Sequence, residues 1–161
     1  MMLSGHVAVT TISLHYLADP AAIIAANLVA HPVLDAVPHV DWATVWDRPH
    51  GKAIGIALTA LDLVVGGYLI VLMLERVDAT PAVIVGAVTA GLWLDLIDPL
   101  TRRWSILAPL RRFHLFCHAW PDRSGHDHDV DWPNTVTGRV PDWVKLAIQA
   151  SLVAVAVRLL T

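Results

Sequence analysis

His31, Asp35 and His39 carry the most specific chemical signal in this chain, in the run His31-Pro-Val-Leu-Asp35-Ala-Val-Pro38-His39. Four residues apart on a helix, His31 and Asp35 share one face with about 6 Å between them. The same spacing lets a helix-borne pair of histidines hold one zinc. His114 and His118 repeat it, and Asp95 and Asp98, at i, i+3, can also converge. His39 is eight residues from His31, about 12 Å along an unbroken helix and too far for one ion. Either Pro38 bends the chain back, or Asp35 lies between two ions. Paired metals about 3.5–4 Å apart act on phosphate esters. Histidine with aspartate, and a single Cys117, is the vocabulary of a mixed nitrogen and oxygen metal site.

These residues sit in a chain of 161 residues that is 56% hydrophobic and only 16% charged, with mean hydropathy +0.58. A soluble domain carries about 25% charged residues. Titratable side chains inside a membrane are costly, so each is a candidate for function. The length suits one domain, and a net charge of −3 argues against nucleic acid as the main partner. One cysteine excludes an internal disulfide framework. The opening MMLSGHVAV lacks a basic n-region and a cleavage site, so the first apolar segment is expected to stay as a helix.

The elements that must position the site read as helices throughout. Leu3 to Leu17 is a short first segment. Asp19-Pro20 caps a second, running from about Pro20 to Val37 and stopping at Pro38. Gly51 to Val77 is the longest apolar stretch, interrupted after Lys52 only by Asp62 before Glu75. Thr80-Pro81 opens a fourth that runs to about Asp98. Arg102 to Trp120 reads as an amphipathic interfacial helix. Residues 120–140 form a polar loop, which includes the acid and imidazole run Gly125 to Asp131 and reads as a lid. A last span covers Pro141 to Leu160. The expected fold is an all-α polytopic membrane bundle with about five spans plus one amphipathic helix.

Alternating the spans puts Arg48, Lys52, Arg102, Arg103, Arg111, Arg112, Arg123, Arg139 and Lys145 on one side, and Arg76 and Arg158 on the other. The positive-inside rule makes the first side cytoplasmic, and most tryptophans, including Trp42, Trp46 and Trp104, fall at that interface. The same map brings His6, His31, Asp35, His39, Asp95, Asp98, His114 and His118 to that side, with Asp62 deeper. This predicts one polar site facing the cytoplasm. His15 falls at the other side and His50 in a loop.

The motif H-x-x-x-D-x-x-P-H, matched by His31, Asp35, Pro38 and His39, resembles that of small integral-membrane proteins known as predicted membrane-bound metal-dependent hydrolases. A leading His resembles His6, and an acid in the next span resembles Asp62. A Gly-x-x-x-Ala-x-x-x-Asp segment ending in a second Asp resembles Gly86 to Asp98, where Asp95 stands one residue beyond that spacing and Asp98 follows, and a final H-x-x-x-H resembles His114 and His118. The chain is also distantly similar to the all-helical zinc-dependent phospholipase C proteins. The resemblance implies a divalent metal, zinc first and one ion or a pair. It implies a metal-activated water acting on a phosphoester or lipid-derived substrate.

The expected ligands are His6, His31, Asp35, His39, Asp62, Asp95, Asp98, His114 and His118. Asp62 is a ligand or general base, and His39 a ligand or general acid. Two other readings stand beside this one. One is a metal-ion or proton transporter or sensor. The other is a structural membrane protein whose polar residues only tie helices together.

Overall fold

Helix starts follow the cap signals. In the computed structural model, which describes residues 3–39, 51–119 and 140–161, the Asp19 carboxylate accepts from the Ala22 N–H at 2.9 Å and Pro20 opens a helix. Thr80 and Pro81 do the same for another. The described residues form seven α-helices: α1 Leu3–Tyr16, α2 Pro20–Ala36, α3 Gly51–Arg76, α4 Pro81–Gly91, α5 Trp93–Arg103, α6 Ala108–Ala119 and α7 Asp142–Leu160. A 3₁₀ turn, Ser105–Leu107, joins α5 to α6. The fold is all-α. The 120–139 part of the expected loop, Trp42, Trp46, Arg48 and His50 lie outside the described residues.

Among the described residues two helices, α3 and α7, are long and apolar enough to cross a membrane, and α4 with α5 makes a third if that bent pair is one span. Length and composition thus support two to three of the expected five spans. The reason is length: α1 has 14 residues and α2 has 17, against about 20 for a full span. The outer face suits a bilayer. Ile56, Leu63, Val64 and Tyr68 of α3 are each more than half exposed, an apolar surface of the kind that a membrane or a partner covers.

The fourth expected segment is not one straight helix. It breaks at Leu92, and α5 leaves α4 at 55°. Gly91 sits where α4 meets α1, and a Cβ there would lie 2.8 Å from Thr10 Oγ1. The fifth expected segment also divides, at the 3₁₀ turn, so that α6 starts only at Ala108.

Central α1 packs against α2, α3, α4 and α7. Its apolar core joins Val7, Leu14, Ile23, Leu69, Met73, Ile84, Ala156 and Leu160. Polar ties reinforce it, as expected where lipid removes the hydrophobic drive between helices. Buried Asn27 accepts from Thr10 Oγ1 at 2.8 Å and donates to Ser13 Oγ at 2.7 Å and to the Ile23 carbonyl at 2.8 Å. That pins α2 to α1 one turn below His31.

Candidate metal centre

Pro32 lies inside α2. It has no N–H to give the Leu28 carbonyl four residues back. The Trp93 indole fills that place, donating from Nε1 to the Leu28 carbonyl at 3.1 Å. The break after Gly91 likewise frees a carbonyl at the end of α4. Buried His31 reaches it, with Nδ1 2.7 Å from the Gly91 oxygen. A carbonyl can only accept, so Nδ1 carries a proton, and Nε2 is the nitrogen turned toward the acids. A backbone partner that fixes the tautomer in this way is typical of metal-binding histidines. Two defects in adjacent helices thus lock each other and orient His31.

Asp35 lies at the centre of what His31 faces, fully buried. Its Oδ2 is 3.0 Å from His31 Nε2 and 3.3 Å from His114 Nε2, and its Oδ1 is 3.4 Å from His6 Nε2. Asp95 closes the set, with Oδ1 3.4 Å from His114 Nε2 and Oδ2 4.0 Å from His31 Nε2. The His6 and His31 rings stack, with centroids 4.3 Å apart and planes 15° from parallel. Five side chains from α1, α2, α5 and α6 so converge on one point. His6, His31 and Asp35 are buried, whereas the Asp95 side chain is 42% exposed and marks the opening.

The separations match a metal shell. Bonds of about 2.0–2.1 Å in a tetrahedron give edges of about 3.3–3.4 Å. Two overlapping triads, His31/Asp35/His114 and His6/His31/Asp95, each bring one ligand atom per residue within 4.8 Å of the others. Hydrogen bonds alone do not account for the cluster. His6 Nδ1 is buried with no hydrogen-bond partner among the described residues, and three Nε2 atoms, of His6, His31 and His114, crowd on the one Asp35 carboxylate. A cation accepting lone pairs from those Nε2 atoms would relieve the crowding. The donor set therefore fits a divalent ion of the zinc type.

Burial disfavours a charged His114, but the Asp35 and Asp95 carboxylates outweigh it and raise its pKa to about 9. Burial pushes the Cys117 thiol up to about 11, helped by the Asp35 charge, so it stays protonated.

Other expected ligands stand elsewhere. Asp62 serves the first turn of α1, accepting from the Leu3 N–H at 2.9 Å, the Ser4 N–H at 3.0 Å and the Ser4 hydroxyl. Gly66, one turn on, gives Leu3 room, since a Cβ there would lie 2.9 Å from Leu3 Cγ. Asp62 thus caps a neighbouring helix, which suits a carboxylate at a helix N-terminus. The Asp98 carboxylate holds Arg102 Nε at 2.7 Å and belongs to neither triad. His39 is buried and pairs Nδ1 with the Val37 carbonyl at 2.7 Å. Burial holds its pKa down at about 3, and it too is in neither triad. The His118 side chain lies outside the described residues.

The chain matches no protein family, no curated protein and no solved structure. Sequence reasoning missed Gly91 and Trp93, which hold His31 and the Leu28 carbonyl that Pro32 leaves free. One signal was available: a proline inside a helix announces a carbonyl that needs a donor.

Proposed function

We propose that this protein is a membrane-embedded metal-dependent hydrolase acting on a phosphoester or lipid-derived substrate at the cytoplasmic interface, built on about five membrane-crossing or membrane-inserted segments. The observation that carries the reading is the convergence of His6, His31, Asp35, Asp95 and His114, with three imidazole Nε2 atoms crowded on the one Asp35 carboxylate. A divalent ion bound there supplies Lewis acidity and lowers the pKa of water. His6, His31, Asp35 and His114 would hold it.

Asp95 lies at the exposed edge and is the acid best placed to meet substrate. Asp62 has its oxygens engaged by α1, which favours a structural role for it over a general base. The amphipathic α5, with Leu96 and Leu100 exposed beside Asp95, supports a site at headgroup depth.

The test uses full-length protein in phospholipid vesicles, assayed on phosphate mono- and diesters and on phospholipids. Turnover that chelation abolishes and zinc or manganese restores, and that Asp35→Ala lacks, supports the proposal. Folded, metal-loaded protein that hydrolyses none of these would overturn it and favour a transport or structural role.

A further inference from the structure

Gln149 is a buried polar side chain that the proposed metal site does not use. It lies one turn beyond Lys145 on the inward face of α7 and is 2% exposed. Among the described residues, neither its amide nitrogen nor its amide oxygen has a hydrogen-bond partner. An amide buried without partners is rare and calls for an explanation. Lys145, by contrast, is satisfied by Asp142 at 3.2 Å.

Gln149 lines a cavity of about 260 Å³ between α3 and α7, with its amide tucked into the wall. Leu58, Leu61 and Val65 of α3 and Leu146 and Val153 of α7 form its apolar walls. Ser4 and Asp62 close one end, but they bond each other. Leu61 and Leu146 at the rim are 59% and 43% exposed, so the cleft opens sideways between the two membrane-length helices. The cavity is just below the about 300–1,000 Å³ of pockets that enclose a whole small ligand. That size suits part of one chain and its linkage.

We propose that this cleft binds a glycerophospholipid of the surrounding bilayer. Part of one acyl chain lies along the α3 and α7 walls, and a small turn of the Gln149 side chain lets its amide donate to an ester carbonyl. The apolar leucine and valine walls select a hydrocarbon chain, and the amide selects a hydrogen-bonding group at its end. The sideways opening admits that molecule from the bilayer. The proposal rests on the membrane placement of α3 and α7, and it is independent of the metal centre.

The test is photolabelling in vesicles of phosphatidylethanolamine and phosphatidylglycerol. The probe is phosphatidylcholine carrying a diazirine on one acyl chain, and labelled peptides are mapped by mass spectrometry. Wild-type protein should label in the α3 and α7 segments lining the cleft. Gln149→Leu should cut that labelling about three- to tenfold, the worth of one buried hydrogen bond, while general labelling of the outer α3 face and metal content stay unchanged. Val153→Phe, which fills the cleft and leaves the amide, should also remove the cleft label. It keeps the test decisive if Gln149→Leu does not fold. Equal cleft labelling in wild type and either folded variant would overturn the proposal. So would a more heat-stable Gln149→Leu with unchanged labelling, which would show that the amide holds only water or is unsatisfied.

Discussion

His31 meets two demands at once: its Nδ1 is 2.7 Å from the Gly91 carbonyl and its Nε2 is 3.0 Å from Asp35. The residues around it divide by what else they touch. Asp95 contacts two histidines of the cluster, whereas Asp98 is held by Arg102. Asp95→Ala should therefore weaken metal affinity by about 10–100-fold or more, and Asp98→Ala should change it less than about twofold, because its exposed ion pair contributes little. Competition titration against a zinc chelator reads both. The partner of Asp98 was legible in the sequence, since Arg102 follows at i+4. The partners of Asp62 were not, because Leu3 and Ser4 lie 59 and 58 residues away. Protons set a further expectation. The pKa of His114 is raised from 6.5 to about 9, so its proton stabilises the metal-free protein fully below about pH 6.5. That contribution fades as pH rises through about 9. A metal ion must displace the same proton, so affinity should rise with pH through that window, by up to about tenfold per unit. Affinity independent of pH between 6.5 and 9 would exclude His114 as a ligand.

The helices act through their imperfections. Caps at Asp19 and Thr80 and the apolar run of α3 were legible because they are local. The 55° break after Gly91 was not, because it depends on the approach of Thr10 and on the pull of His31 across helices. Of that break only Gly91 itself was visible in the sequence. Asp62 illustrates the same point from the other side: it fixes the start of α1, and α1 carries His6. Asp62→Ala should lower stability by about 1–2 kcal/mol, the usual loss for a cap. It should leave metal stoichiometry at saturation unchanged, whereas loss of metal from a folded Asp62→Ala would restore this residue as a ligand. Thermal unfolding in detergent with parallel metal analysis separates the two.

At the scale of the whole molecule, the all-α architecture and the meeting of His6, His31, Asp35, Asp95 and His114 were both legible. Alternating spans and basic residues placed these five at one end, and four helices bring them together. The number of spans was less legible. Short α1 and α2 bury His6, Asn27, His31 and Asp35 inside the bundle, so their length reflects packing around a polar centre as much as bilayer thickness. If the chain crosses the membrane as proposed, the two ends of α3 lie on opposite sides. In a Cys117→Ser background, Lys52→Cys should be labelled by an impermeant maleimide only from the cytoplasmic side, and Asp78→Cys only from the other. Labelling of both from one side would refute that topology.

The central claim is that the buried cluster holds a metal ion. Its most direct test is metal content, by mass spectrometry, of wild type and Asp35→Ala purified side by side in detergent. The account predicts one or two equivalents of a divalent metal, zinc first, in the wild type and little in a variant that keeps its helical content. A folded wild type that carries no stoichiometric metal, even after reconstitution, would contradict it.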